Sequence, residues 1–577
     1  MEAFLKRKND ENPVKTSKKA KIELCPHSDR CYRKNPHHFR EYDHPHLKKF
    51  IEMGDSMVIP DGLPQPKNVY LEQIQILKSM NNQIVEAKQQ GATQSGGVKS
   101  MPDLSCQAGP SSSRISNKGT VTSYSSSNTS NRTEEIFKSR SKPGTMLENL
   151  ERAAPYNFFF STVNKAPETQ TQPNAITFTD LLCPSLGELK RSLQINFMID
   201  IDWLLKQYKA RNLHTKPLTI IYGDDWPDMP QFIDMFCPNV TYKFIKMPDL
   251  FGCHHSKIGV YVYADNSLRV VVSTANLYYE DWNHYNQGWV NSVEFAFVWC
   301  IYETVCRLWL SPACPRLPES SPDTEGESPT GFKSTLLEYL GSYNLSCLND
   351  FINYVKRADF SAVRVFLICS IPGKRHSNEP GCHLLQVGHL LHEHCALPAK
   401  TTPQSEGPLS WGIIAQASSI GSMGKKPADW LRGALLRSLA SHTRSLLPMT
   451  SNASLSIVYP SVDNVMTVNG KQKRTVGQGR CPTSSPTAGF PPCMTKLAYF
   501  LLTSANLSKS AWGASIGKDS KVYMRSYEAG VLFLPKLFDE EYFEIQRTPT
   551  SKNKNLFPFM YDLPLVPYKA DDYPWCN

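Results

Sequence analysis

Two residues with clear chemical potential, His255 and Lys257, stand two positions apart at the head of the apolar run IGVYVYA. Side chains on a strand alternate between faces, so both project to one side. After a turn at Asp265-Asn266, the run Leu268 to Ser273 returns and carries Asn276 to the expected same end of the sheet. Imidazole, ammonium and carboxamide then converge on one small volume, a set able to exchange protons and hold negative charge.

The elements that position them recur. STANLYYEDW (273–282) and TSANLSKSAW (503–512) share a hydroxyl residue, Ala, Asn, Leu and Trp at one spacing, each after an apolar run. Two copies so far apart suggest two homologous halves of one domain. The expected boundaries are 146–345 and 346–577, with the site in the cleft between them. Within the first half, TFTDLL opens with hydroxyl residues before an apolar run, LKRSLQINFMIDIDWLLKQY (189–208) reads as helix-like and then apolar, and LTIIYGD and YKFIKM read as strands. Helices alternating with strands predict an α/β architecture.

The 577 residues carry a net charge of +10, and residues 1–50 hold thirteen Lys and Arg against seven Asp and Glu. The basic character is therefore mainly N-terminal. Lys6-Arg7-Lys8 and Lys18-Lys19-Ala20-Lys21, within a tail spanning 1–24, read as a bipartite nuclear import signal. No uncharged apolar run is long enough for a membrane span, and the charged first residues do not read as a signal peptide. An intracellular, nuclear protein is expected, its sixteen Cys mostly thiols.

Cys25, Cys31, His38 and His44 supply two thiolates and two imidazoles, a set that closes a tetrahedral structural zinc site. The spacing is C-x5-C-x6-H-x5-H, unlike that of the finger that reads the DNA major groove. So short a segment (25–46) has little apolar surface, and metal binding would supply folding free energy. Between it and the first half, 47–145, residues 66–88 have helical periodicity, and 90–145 have the composition of a disordered linker.

The segment CPHSDRCYRKNPHHFREYDHPH resembles the poly(ADP-ribose)-binding zinc finger. That resemblance implies that Tyr32 and Arg33 help to hold the ligand. An aromatic can stack on adenine, and a guanidinium can fork onto pyrophosphate. His27 stands where the family often has another aromatic.

From about residue 150 onward, DIDWLLKQY, FGCHHSKI, STANLYYEDW with Gln287-Gly288-Trp289, ASSIGSMG, YPSVDNV, TSANLSKSAWG, YEAGVLFLP and the final YPW resemble the tyrosyl-DNA phosphodiesterases of the phospholipase D superfamily. The resemblance implies two pseudo-symmetric α/β halves, each a mixed sheet flanked by helices. It implies a monomeric DNA repair hydrolase without catalytic metal or membrane, cleaving topoisomerase-derived tyrosine or peptide from DNA 3′ ends and contacting single- and double-stranded DNA. His255 would be the nucleophile that becomes a phosphohistidine, with Lys257, Asn276 and Asn506 holding phosphate oxygens. Gln287 would orient the nucleophile, and Glu528 would partner an acid/base histidine. Ser418, Ser419, Ser422 and Ser508 match DNA contacts. Phe251, just before the first motif, is suited to stacking on a base or to an ordinary core position.

The sequence departs from that family at two places. A second His-x-Lys belongs shortly before Thr503, yet no histidine follows His442. The stretch Val290 to Trp309 matches nothing in the family's pattern. One consequence is a chain that binds DNA ends and poly(ADP-ribose) with slow or no turnover; another is an altered exon boundary in the encoding transcript.

Overall fold

A computed structural model describes residues 23–25, 28–31, 39, 42–53, 59–60, 63–64, 67, 70–71, 73–74, 77–78, 145–164, 169–170, 174–224, 228–249, 251–283, 286–287, 300–301, 307–376, 381–396, 412–417, 419–443, 455–459, 480–481, 496–513, 521–545, 556–559, 566–567 and 572. The chain forms two units, Met1–Ser123 with Asn577, and Tyr124–Cys576. The import signal, nearly all of the linker and most of 290–306 lie outside the described residues.

In the N-terminal unit, β1 (Glu23–Leu24) pairs in parallel with β2 (Tyr42–Asp43), and α1 (Pro45–Glu52) follows with proline in its first turn. Phe39, Leu47, Ile59, Tyr70 and Ile74 form a small core. Residues 67, 70, 71, 73, 74, 77 and 78 are helical, as their periodicity predicts. Gln73 Nε2 donates to the Cys31 carbonyl at 2.9 Å, and the Tyr70 hydroxyl donates to that of Asp29 at 2.6 Å. The helix expected to stand apart therefore completes the finger's core.

The larger unit opens with α2 (Thr145–Ala153), β3 (Phe158–Ser161) and β4 (Ala175–Ile176). There follow β5 (Leu189–Asn196), α3 (Ile201–Ala210), β6 (Leu218–Tyr222), α4 (Asp228–Phe236) and β7 (Val240–Phe244). Next come β8 (Ile258–Tyr263), β9 (Leu268–Ser273), α5 (Tyr279–Asn283) and β10 (Arg307–Leu310). They build one mixed sheet in the order β4-β3-β10-β9-β8-β5-β6-β7. Strands β5, β6 and β7 run parallel, whereas β8, β9 and β10 are antiparallel to their neighbours.

Two sequence expectations need correction. The first turn or two of the helix expected from Leu189 is the strand β5, and the helix starts only at Ile201, capped by the Asp200 carboxylate, which accepts from the Trp203 N–H at 3.0 Å. β5 lies between β8 and β6 and is buried over most of its length, so no in–out alternation advertises it. The stretch Val290 to Trp309, expected to lie outside the family's pattern, contains part of the first sheet. Arg307–Leu310 is β10, buried at every position between β3 and β9. Asn286–Gln287 pairs with Cys300–Ile301 across the intervening segment.

After α6 (Phe332–Ser342) and α7 (Asn349–Lys356), the second half begins with β11 (Phe366–Ser370) and β12 (Gly373–His376). It continues through α8 (His383–His394), β13 (Ile413–Gln416), β14 (Leu455–Val458), β15 (Phe500–Thr503), α9 (Lys509–Trp512), β16 (Lys521–Met524) and β17 (Glu528–Phe533). Strands β11, β17 and β15 form an antiparallel sheet, β12 and β16 an antiparallel ribbon, and β13 and β14 a parallel pair. One core runs across both halves. It joins Val260, Val270 and Val272 of the first sheet to Leu336 and Leu340 of α6 and to Leu367 and Val531 of the second sheet.

Candidate active site

Strand β8 is a β-branched and aromatic run buried at all six positions, and its antiparallel return β9 is equally buried. The turn between them is closed by Ser267 N–H on the Asp265 carboxylate at 2.9 Å, with Asn266 at φ 61°. This hairpin fixes the segment that leads into it. The His255 N–H donates to the Tyr527 carbonyl at 2.8 Å, and the Tyr527 N–H donates to the Cys253 carbonyl at 2.9 Å. The main chain before the first half's hairpin is thereby bonded to the main chain that enters β17 of the second half.

That bridge sets Glu528 against His255. Nδ1 of His255 and Oε2 of Glu528 are 3.1 Å apart, and the Ser504 hydroxyl donates to the same carboxylate oxygen. Glu528 is almost fully buried. Burial by itself would raise its carboxyl pKa, but the charge and hydrogen bond of His255, the Ser504 hydroxyl and Lys257 outweigh it, so the pKa lies below its ordinary value. The carboxylate expected to serve a second histidine thus lies on the first one. The pairing joins residues 273 positions apart, which spacing alone does not reveal.

Lys257 is 2 % exposed, and burial pulls its ammonium down to about 8 despite the nearby Glu528 charge. Its Nζ donates to the His255 carbonyl at 2.7 Å and lies 5.8 Å from the Phe197 ring, whose centroid is 5.4 Å from the His255 ring. His254 and Ser256 are buried on a separate polar network. His254 Nε2 is 2.9 Å from the Tyr343 hydroxyl, Tyr343 and Tyr339 hydroxyls are 2.9 Å apart, and Ser256 bonds Tyr339. Burial lowers the His254 imidazole to about 3, so it stays neutral.

Asn276 follows β9. Its N–H donates to the Asp281 carboxylate at 2.7 Å, and its carbonyl accepts from the Trp282 indole at 3.1 Å. Its side-chain oxygen is buried with no hydrogen-bond partner among the described residues. Burial lifts the Asp281 carboxyl to about 6, moderated by the Asn276 N–H and by Lys257.

In the second half, the Asn506 side-chain oxygen accepts from the Ser419 N–H at 3.2 Å. The segment 419–422 is zipped to 507–509. Leu507 N–H donates to the Ser419 carbonyl, Gly421 N–H to that of Leu507, and Lys509 N–H to that of Ser422. A Cβ on Gly421 would lie 2.8 Å from the Ser508 Cβ, so the close approach requires glycine. Ser508 caps α9 by accepting from the Ala511 N–H at 3.2 Å. Phe251 is 76 % exposed, which excludes a core role, and its carbonyl accepts from the Ser510 hydroxyl. Ser504 and Ser510 thus tie the Asn506 loop to Glu528 and to Phe251.

Gln287 lies in the short strand paired with Cys300, and its side chain, like Ser418, is outside the described residues. The expected lost block, 466–479 and 482–495, is also outside them. Among the described residues of the second half, His383 is the fully buried histidine. Its Nδ1 is 2.7 Å from the Ser370 hydroxyl and its Nε2 2.8 Å from that of Thr503, and burial lowers it to about 4. Both ring nitrogens are engaged inside the core. Sequence spacing signals neither Ser504 nor the Tyr339–Tyr343 pair.

In the N-terminal unit, donor atoms of Cys25, Cys31 and His44 lie within 4.8 Å of one another, all buried. His44 Nδ1 is 3.1 Å from the Tyr42 carbonyl, which sets the tautomer that leaves Nε2 as the donor to a metal. Two thiolates and an imidazole so close fit zinc. His38, Tyr32 and Arg33 are outside the described residues.

Both units are similar to known proteins. Residues 157–477 and 488–569, the stretch Val290 to Trp309 included, match the family model described as Tyrosyl-DNA phosphodiesterase, and residues 23–47 match that described as the PBZ domain. Tyrosyl-DNA phosphodiesterase 1 of Drosophila melanogaster is 32% identical, the alignment taking in 96% of this chain and 98% of that protein. The probable tyrosyl-DNA phosphodiesterase of Caenorhabditis elegans is 31% identical over 74% of this chain and 89% of its own. Among solved structures, the yeast tyrosyl-DNA phosphodiesterase is 19% identical with a TM-score of 0.49, covering 73% of this chain and 99% of that one.

Proposed function

Because this chain belongs to the tyrosyl-DNA phosphodiesterase family of DNA repair hydrolases, we propose that it acts at DNA 3′ ends carrying a topoisomerase-derived tyrosine or peptide. The observation that carries the reading is the half-buried His255 paired with the buried Glu528 carboxylate where the two halves meet, with buried Lys257 beside it.

With Nδ1–H donated to Glu528, the His255 lone pair resides on Nε2. That nitrogen attacks phosphorus, and the P–O bond to tyrosine breaks with its electron pair leaving on the phenolate oxygen. Glu528 stabilises the positive charge that grows on the imidazole. Lys257, Asn276 and Asn506 hold the nonbridging oxygens, and their preorganised charge and dipoles stabilise the transition state. A phenolate with a pKa near 10 departs partly unassisted. Water must then attack phosphorus so that the N–P bond breaks and its pair returns to His255.

That second step favours a further reading. No histidine follows His442, and His383 is engaged by two buried hydroxyls. Losing an acid/base group costs about 10² to 10⁴ in rate. The chain therefore forms a phosphohistidine readily and releases it slowly, acting as a DNA-end and poly(ADP-ribose) binding protein more than a multiple-turnover enzyme. The finger, holding zinc through Cys25, Cys31, His38 and His44, brings it to poly(ADP-ribose) by Tyr32 and Arg33 in the nucleus.

Intact-mass analysis after incubation with a 3′-phosphotyrosyl oligonucleotide tests this. The expected product is released tyrosine, one per protein, with an acid-labile oligonucleotide adduct on His255. Absence of both tyrosine and adduct overturns the enzymatic reading, and rapid multiple turnover without adduct overturns slow release.

A further inference from the structure

Around Arg525 the chain carries a feature that the cleavage chemistry does not use. On β16, Val522 and Met524 are fully buried, so Lys521, Tyr523 and the following Arg525 project to the opposite face. Directly across the ribbon, Lys374 pairs with Tyr523 and is exposed on the same face. The Arg525 guanidinium lies 5.6 Å from the Phe251 ring and 5.6 Å from the Tyr523 ring. Asp249 grips its Nη1 with both carboxylate oxygens, at 2.8 and 2.7 Å. A guanidinium held by its edge keeps its planar faces for stacking.

Both rings remain accessible, Phe251 at 76 % and Tyr523 at 41 %. Phe251 precedes His255 by four residues and Arg525 precedes Glu528 by three, so this row starts beside the reacting pair and leads away along the ribbon. Aromatic rings interleaved with Arg and Lys are the chemistry that binds unpaired nucleotides, bases on rings and phosphates on cations. Among the described residues, three cations with Asp249 as their one paired carboxylate leave a net positive face that suits a polyanion.

We infer that the outer face of the β12–β16 ribbon is a stacking site for unpaired nucleotides, in which Tyr523 takes a base beyond the one at Phe251 and Lys374 and Lys521 take the intervening phosphates. The inference rests on the DNA-end reading. It implies little sequence preference, because every base presents a π face.

The test is fluorescence anisotropy of the full chain with 3′-phosphorylated single strands, one a dinucleotide and one of about 10 nucleotides, a length within the usual range of a single-strand groove. Y523A is expected to weaken the longer strand about 5- to 100-fold, the range of a lost base stack, while Y523F keeps wild-type affinity. Neither substitution alters dinucleotide binding. K374A is expected to reduce the slope of log affinity against log salt by about 0.7, one phosphate contact on a single strand. Unchanged binding of the longer strand by Y523A overturns the site, as does equal weakening at both lengths. Selective loss of affinity for a tyrosine-containing peptide would reassign the face to the adduct. Failure of the wild-type chain to bind either strand overturns the DNA-end reading itself.

Discussion

The two halves end their matching strands alike and then diverge. After β9 comes Asn276, five residues later Asp281, then Trp282; after β15 comes Asn506, five residues later Ala511, then Trp512. In the first half the Asp281 carboxylate clamps the Asn276 N–H. In the second, the corresponding position has no carboxylate, and Asn506 is instead held by the 419–422 loop. The first half supplies imidazole and ammonium, whereas the second supplies the carboxylate and hydroxyl that charge and orient them. The matching loops are thus held by different partners, and the His255–Glu528 pair draws one member from each half.

The sharpest way to break this division is to remove the first half's nucleophile. His255→Ala is expected to lower single-turnover release of tyrosine by about 10⁴-fold or more, measured by rapid quench, while the protein still binds DNA ends. The opposite manipulation sharpens it. Inserting a His-x-Lys strand between Val465 and Lys496 is expected to raise steady-state turnover by about 10² to 10⁴ and to abolish the adduct seen by mass.

Acidity separates the halves on a smaller scale. Lys257, with its ammonium at about 8, is charged below that pH and neutral above it. Affinity for a 3′-phosphorylated end should therefore fall as pH rises through about 8, at most tenfold per unit in the single-site limit, and calorimetric titration from pH 6.5 to 9.5 reads it. A flat profile would place the phosphate away from Lys257. Glu528 has the opposite sign: with a lowered folded-state pKa it contributes stability above its ordinary value of 4.5, lost as pH falls through the folded value.

The mildest change makes the first half resemble the second. Asp281→Ala, copying Ala511, leaves the Asn276 N–H without its acceptor and is expected to cost about 1 to 3 kcal/mol of stability, read by denaturant unfolding. An unaltered midpoint would show that the asparagine loop is held by Trp282 alone.

How much of this was readable from sequence follows from how far apart the partners are. His255 and Lys257 are legible because they lead into one hairpin, and Asn276 because it follows that hairpin's return strand. Asn506 is legible by repetition. Glu528 is legible as a residue but not in its pairing, since the hydrogen bond to His255 depends on how two sheets share one core. Strands β5 and β10 are hidden for another reason: β10 and most of β5 are buried on both faces, which removes the alternation that identifies a strand. Periodicity revealed the helix near Tyr70, yet its hydrogen bonds to Asp29 and Cys31 make it part of the finger rather than of the linker.

The paired main-chain bonds between His255, Tyr527 and Cys253 have a mechanical meaning. They rivet the main chain that leads into the first half's hairpin to the main chain that enters the second half's sheet. The His255–Glu528 pair sits at that joint, one member from each half. The alignment of imidazole and carboxylate is therefore fixed by main-chain bonds between the halves and not by side-chain packing alone.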